Sequence, residues 1–166
     1  MSGQLRIEPA TEGDAPLILS FIRKLAEYEK LSERVVATEE NIRENVFGTN
    51  PVAHVLLAYW ESEAVGFALY LRNFSTFLGR PGIYLEDLFV DPEHRGKGIG
   101  KALLAELAKI AVARGYGCLE WAVLDWNTPS IGFYRSLGAV ALDEWTAYRL
   151  MGDALTRLAG KEAPAP

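Results

Sequence analysis

Arg95-Gly96-Lys97-Gly98-Ile99-Gly100-Lys101 puts three glycines and three cations into one short stretch. An apolar run, Ile83 to Val90, precedes it and an amphipathic run, Ala102 to Arg114, follows. A strand, a glycine turn and a helix in that order can hold a phosphate. Glycines let the backbone come close to an anion, and the first N–H groups of a helix have no partner inside it. The positive end of the helix dipole favours a pyrophosphate at the same place. Arg95, Lys97 and Lys101 add charge of the right sign. Spacing excludes two common users of such a turn. A P-loop needs Gly-Lys followed by Ser or Thr after four intervening residues, and here Ala102 follows Lys101. In a dinucleotide fingerprint the third glycine would come one residue later. What stays is Arg-x-x-Gly-x-Gly at Arg95, Gly98 and Gly100. The plainer alternative is a tight turn whose basic residues simply face solvent.

A second segment bears on that choice. Asp125-Trp126-Asn127-Thr128-Pro129-Ser130-Ile131-Gly132-Phe133-Tyr134 places a Tyr seven residues after an Asn, and Gly138 closes the short helix between them. In this order the two segments resemble the coenzyme A-binding segments of the GCN5-related N-acetyltransferases, the GNAT superfamily, and the likeness covers nearly the whole chain. Within it the chain is similar to the diamine branch, whose members act on spermidine, spermine or thialysine. Leu25-Ala26-Glu27-Tyr28-Glu29, Tyr84 to Val90 and Val123 to Asn127 carry that narrower likeness.

The resemblance implies a mixed α/β (α+β) fold: a central, mostly antiparallel twisted sheet, splayed at two parallel strands and flanked by helices. It implies acetyl-CoA as co-substrate, direct attack in a ternary complex, and a homodimer. The coenzyme would lie along the backbone of Leu88, Phe89 and Val90, with its diphosphate on Arg95, Gly96, Lys97, Gly98, Ile99, Gly100 and Lys101. Asn127 would anchor the pantetheine arm or hold its own helix. Ser130 and Arg135 join the coenzyme set, and so does Phe133 unless it is a core aromatic.

Moving an acetyl group from a thioester to an amine has three needs: the amine loses a proton, the carbonyl is polarised, and the departing thiolate is protonated. Glu86 is the candidate for the first. A carboxylate in a partly buried strand has its pKa raised by desolvation, which makes it a better base near neutrality. It could equally be a charge that orients the substrate and never takes a proton. Backbone N–H groups at Leu88 to Val90 serve the second need if the strand bulges or splays, an arrangement implied by the resemblance. The resemblance places Tyr134 at the acid position; an isolated Tyr on a short helix would be read as core.

For the acceptor, Tyr28, Glu29, Glu86 and Asp87 match the polyamine side of the branch. A substrate with several ammonium groups suits spaced acids and aromatic faces, which Phe74, Phe77 and Trp126 could supply. Arg80, near those phenylalanines, would repel a long polycation if it faced the site. A lysine analogue or another small primary amine is therefore as credible as spermidine. Protein, peptide or drug amines, and a non-catalytic acyl-CoA-binding module, are the rival readings.

The bulk numbers set outer limits. The chain has 166 residues, about half of them hydrophobic (49%), which suits one core and one domain over 1–160. The Ala/Pro-rich tail from 161 to 166 is expected to be disordered. A net charge of −5 argues against nucleic acid as partner. No apolar run reaches the roughly 20 residues a membrane span needs, and the N-terminus has no signal-peptide stretch. A single cysteine, Cys118, rules out an internal disulfide and fits the cytoplasm. It is expected to be a small buried residue. His54 and His94 stand far apart with no cysteine near, so no zinc site is expected.

Periodicity supplies the frame. Leu5 to Glu8 predicts a short strand, and Thr11 an N-cap for a helix whose core face is Ile18, Phe21, Ile22 and Leu25. Tyr28 and Glu29 fall at its end. Thr38 caps a second helix, Glu39 to Phe47, stopped by Gly48. Ala53 to Trp60 and Ala64 to Leu71 read as a hairpin, and Asn73 to Gly82 as a loop. Ile83 to Val90 is a strand. The next helix buries Leu103, Leu107, Ile110 and Ala111 and ends at Gly115, and Leu119 to Leu124 completes a β–α–β unit. A short helix, Ser130 to Leu137, and two strands, Ala139 to Leu142 and Thr146 to Met151, are expected to close the chain.

Overall fold

A computed structural model describes residues 4–161 of the chain. The chain divides after Leu124 into two units, Met1–Leu124 and Asp125–Pro166. Of the tail expected from 161 onwards, everything past Lys161 lies outside the described residues.

The first unit is built on a five-stranded sheet in the order β1-β2-β3-β4-β5. β1 (Leu5–Pro9), β2 (His54–Trp60), β3 (Glu63–Ser75) and β4 (Arg80–Val90) are antiparallel neighbours, and β5 (Leu119–Trp121) runs parallel to β4. The mixed, mostly antiparallel sheet with one parallel pair is the expected architecture. Thr11 opens the chain's first helical stretch: its N–H and hydroxyl both donate to Asp14 Oδ2, at 2.7 and 2.9 Å. α1 (Ala15–Tyr28) follows. Ile18 and Phe21 pack with Val55, Leu57, Phe67 and Phe89 in one buried cluster. The Phe21 and Phe67 rings stack at 5.5 Å, and Phe89 lies 6.1 Å from Phe21. Thr38 caps α2 (Glu39–Ile42), its hydroxyl accepting from the Asn41 N–H at 3.2 Å. The helix continues as a π turn, Arg43–Phe47, and stops at Gly48, where a Cβ would collide with the Glu44 carbonyl. α3 (Ile99–Ala113) buries Leu103, Leu107 and Ala111, as the spacing predicts, and Gly115 leaves it with φ +68°.

Three expectations in this unit are corrected. Asn73 to Gly82 is not a loop: the β3–β4 ladder runs out to Ser75 opposite Arg80, and only residues 76–79 turn. Glycine and proline suggested a loop, but here they serve the ladder. A Cβ on Gly82 would lie 2.7 Å from Asn73 Oδ1 and 2.8 Å from Cys118 Sγ, so glycine lets the strands close up. β5 stops at Trp121 instead of reaching Leu124, and Cys118 just before it is half-buried rather than buried.

The second unit holds α4 (Thr128–Ser136) and α5 (Gly152–Leu158), the latter not foreseen. The strands expected at Ala139–Leu142 and Thr146–Met151 do not form: no ladder among the described residues includes 139–151. A strand needs an edge to pair with, however strong its residue preferences. Within this unit Asn127 is the one described residue that is buried.

Phe67 is central to the core, and Phe77 at the hairpin tip is 94% exposed. Phe67→Ala is expected to lower unfolding free energy by about 3–5 kcal/mol, and Phe77→Ala by under about 0.5 kcal/mol, in urea titrations followed by circular dichroism.

Candidate active site

The glycine turn leaves β4 through Asp91 and a short 3-10 turn, Pro92–His94. Gly96 and Gly98 have φ of +75° and +80°, in the left-handed region that a side chain disfavours. Gly98 is the N-cap of α3 and offers no side chain to it; the first intrahelical bond runs from the Ala102 N–H to the Gly98 carbonyl at 2.9 Å. The N–H groups of Ile99, Gly100 and Lys101 therefore precede the helical ladder. No acidic residue stands in this first turn. A Cβ built on Gly96 or Gly98 meets nothing within 4 Å, and one on Gly100 meets only Val90 Cγ2 at 3.9 Å. Glycine at 100 is thus not required by packing inside the protein; its effect is to leave room over the helix N-terminus.

The three cations divide their work. Lys101 is exposed, and Lys97 Nζ lies 5.0 Å over the Trp60 ring. Arg95 turns towards the body of the protein. Its Nε donates to the Val90 carbonyl at 2.9 Å, and its guanidinium lies 4.8 Å from the centre of the Tyr28 ring and 5.7 Å from that of Phe89. Arg95 thereby fixes the entry of the turn against the ends of β4 and α1. This link between Arg95 and Tyr28 was not visible in the sequence, where the two are far apart.

β4 carries the second element of the site. Its parallel pairing with β5 covers only Ile83–Leu85 with Leu119–Trp121. Beyond Leu85 no strand among the described residues pairs with that edge, while the other edge stays on β3 as far as Val90 opposite Gly66. Opposite β3 the register slips: Tyr70 faces Leu85 and Leu69 faces Asp87, so Glu86 is the extra residue of a bulge. The backbone of Leu88 to Val90 follows that bulge on the stretch paired along one edge. Phe89 and Ile99 have their side chains in the core, so from these two only backbone groups can meet a coenzyme.

The bulge also separates the two acids. Glu86 is exposed, which corrects the expectation of a partly buried carboxylate there. Asp87, opposite Leu69 and two residues before Phe89, shares the face that packs on α1. Burial, and then the charges of Glu86 and Glu29, push its carboxyl up to about 7. Glu29 caps the end of α1, and burial raises its pKa as well. The carboxyl held near neutrality is therefore Asp87, a position the sequence assigned only to substrate binding.

In the second unit Asn127 is the N-cap of α4, its side-chain oxygen accepting from the Ser130 N–H at 3.4 Å. Tyr134 lies in the last turn of that helix, with its ring 5.5 Å from Phe133. Gly138 follows at φ +86°, and the Ala139 N–H donates to the Tyr134 carbonyl at 3.2 Å. Ser130 and Phe133 are half-buried and Arg135 is exposed. Phe74, Phe77 and Arg80 lie towards the hairpin tip. Arg80 is seven residues before Asp87 on β4, roughly 20 Å at strand rise, so they are not brought to the acids. Among the described residues no group of three or more His, Cys, Asp or Glu is arranged to hold a metal.

A strand–turn–helix with an open anion cradle, next to a strand edge released from its neighbour, has the donors to take a diphosphate and an extended arm. The comparisons supply the class. The GNAT acetyltransferase family model matches residues 20–139, and the chain belongs to this family. It is 44% identical to a thialysine N-epsilon-acetyltransferase from Bos taurus, over 93% of this chain and 97% of that protein. It is 32% identical to an L-ornithine N5-acetyltransferase from Arabidopsis thaliana, over 90% of this chain and 86% of that one. An integron cassette protein from the mobile metagenome of V. cholerae superposes with a TM-score of 0.79 at 29% identity, covering 96% of this chain and 98% of that one. The chain is an acetyl-CoA-dependent N-acetyltransferase in class.

Two measurements bear on the site. Gly100→Asp puts an anion in the cradle, while an acid in a helix's first turn favours the helix. It is expected to keep or raise Tm and to weaken coenzyme A binding about tenfold or more by calorimetry. Asp87 holds its proton more tightly folded than unfolded, where its pKa is 3.8. Its contribution to stability is thus complete below about pH 4 and is lost as pH rises through 7. Asp87→Asn should gain on wild type by about 1–3 kcal/mol between pH 4 and pH 8 in urea titrations.

Proposed function

We propose that the protein transfers acetyl from acetyl-CoA to a primary amine of a small cationic acceptor, a diamine, polyamine or thialysine-like amino acid. The observation that carries this reading is Asp87, a carboxyl poised near pH 7 with Glu86 and Glu29 acting on it electrostatically. Three acids at the end of α1 and on β4 attract an acceptor that carries more than one ammonium group. Tyr28 bounds the same region and is held by Arg95. The names of the thialysine and ornithine acetyltransferases to which the chain is similar support a small amine of this kind.

The co-substrate supplies a thioester. Gly96 to Lys101 bind its diphosphate through backbone N–H groups and the helix dipole, and the edge of β4 from Glu86 to Val90 takes the pantetheine arm as an added strand. Asn127, with Ser130, Phe133 and Arg135, completes the coenzyme contacts. Asp87 accepts a proton from the substrate ammonium, directly or through water, and Glu86 orients the cation; the sequence alone pointed to Glu86 for the first role. The amine nitrogen then forms the new C–N bond as the C–S bond breaks. N–H groups at Leu88 to Val90 polarise the carbonyl, and the Tyr134 hydroxyl protonates the leaving thiolate. The two units act as one catalytic domain, in a homodimer in a reducing, cytoplasmic setting. Neither nucleic acid nor membrane takes part.

Thiol release from acetyl-CoA, followed with a panel of diamines, polyamines, thialysine, ornithine and peptides, tests the reading. Small amines with a second charge are expected to be turned over, with kcat/KM rising through about pH 7. Asp87→Asn should remove that rise and lower kcat about a hundredfold, within the usual range for loss of a general base. Tyr134→Phe should lower kcat more than it changes KM. Turnover of peptides alone, or a pH profile unchanged in Asp87→Asn, would refute it.

A further inference from the structure

Three features of the sheet serve neither the core nor the run from Glu86 to Lys101. Gly82 stands inside β4, where glycine weakens a strand. Asn73, its partner on β3, keeps its side-chain Oδ1 buried without a hydrogen-bond partner among the described residues. Glu120 is a half-buried acid on β5, and no Lys, Arg or His of the described residues forms an ion pair with it. One contact joins the three. Asn73 Nδ2 donates to Glu120 Oε2 at 2.8 Å, reaching from β3 across β4 to β5. It passes over Gly82, where a Cβ would lie 2.7 Å from Asn73 Oδ1, so a side chain there would displace the amide. Turned over, the amide would set its oxygen against the carboxylate. The oxygen is left unmet while the N–H holds Glu120, and an unmet buried carbonyl is a net loss to the fold.

Register fixes which way Glu120 faces. Leu69 packs on the α1 cluster, so Leu71 and Asn73, at alternate positions of β3, lie on the same face of the sheet. Tyr84 is opposite Leu71, and Glu120 is opposite Tyr84. Asp87, opposite Leu69, is on this face as well. Glu120 stands one strand across from β4 and three residues back from Asp87. Their backbones are therefore roughly 10 Å apart at strand rise and strand spacing, with Tyr84 between them. An aliphatic chain with a nitrogen at each end can bridge two acids so placed.

We propose that Glu120, aimed by Asn73, determines specificity: it takes the distal ammonium of the acceptor while the proximal amine reacts at Asp87. A bare ammonium satisfies the carboxylate by a charge-assisted hydrogen bond. An amino-acid head group brings a carboxylate of its own to the same place, and like charges repel. The acceptor class is therefore an α,ω-diamine or polyamine ahead of an amino acid such as ornithine or thialysine. This rests on the small-amine reading above and narrows it.

Initial rates with straight-chain diamines, the corresponding monoamines and ornithine test it. Wild type is expected to favour a diamine over the monoamine and the amino acid of equal chain length by about tenfold or more in kcat/KM. Glu120→Gln should raise KM for the diamine about tenfold, keep kcat, and leave the monoamine unchanged, as loss of a binding contact does. Glu120→Asp keeps the charge and draws it back by one methylene, so the preferred diamine should lengthen; this second variant serves if the first does not fold. A wild type that prefers ornithine would overturn the role of Glu120 and leave the small-amine reading standing. So would a Glu120→Gln variant whose KM rises equally for diamine and monoamine or not at all, or an unchanged optimum in Glu120→Asp. Absence of turnover with every small amine would overturn both.

Discussion

The site depends on one limit: β4 and β5 pair over only three residues each. A parallel neighbour that continued past Leu85 would use up the N–H and C=O groups of β4 along the stretch proposed for the coenzyme arm. Ending β5 at Trp121 leaves those groups available, and β4 stays in place because β3 holds its other edge as far as Val90. The glycine turn then begins at the end of the same strand. The open strand edge and the glycine turn thus follow one another along a single run of backbone, Glu86 to Lys101, the run proposed to carry the coenzyme, with Phe89 and Ile99 fixing it from the core.

The bulge at Glu86 divides charge along that run. By inserting one residue it exposes Glu86 and leaves Asp87 on the α1 face. Desolvation there would make a lone carboxyl a weak acid, and two anionic neighbours strengthen the effect. A cationic acceptor reverses the argument, since an ammonium beside Asp87 favours the carboxylate and prepares it to take a proton. At the other end of the run the helix N-terminus, Lys97 and Lys101 suit an anion. Arg95 stands between the two and is already engaged by Val90, Tyr28 and Phe89. It joins the halves mechanically, so the ends of α1 and β4 and the turn cannot move independently without breaking its contacts.

Much of this was legible because it is local. Glycines at fixed spacing before an amphipathic run specify a turn and a helix start, and the caps at Thr11 and Thr38 announce themselves by residue type. The register slip opposite Tyr70 was not legible, because a bulge is a relation between two strands and has no signature within one of them. That slip sets the two adjacent acids apart, and the expectation of a partly buried Glu86 rested only on its place in a strand. The Asn73–Gly82 stretch misled for a related reason. Its glycine and proline look like breakers, yet Gly82 is there to admit Asn73 and Cys118, a contact between elements distant in sequence.

The two missing strands make the same point at the level of the whole chain. Residues 139–151 have the composition of strands, and composition fixes only what a segment is suited to. Whether it becomes a strand depends on an edge, and an edge belongs to some other stretch of polypeptide. In the first unit β2, β3 and β4 meet through short hairpins, β1 reaches β2 across the segment that carries α1 and α2, and β5 reaches β4 through the α3 crossover. The second unit has apolar side chains and backbone groups of the same kind without that arrangement. Among the described residues of that unit only Asn127 is buried, and α4 takes its ends from local hydrogen bonds. The Asn127 cap and the Gly138 turn fix α4 locally.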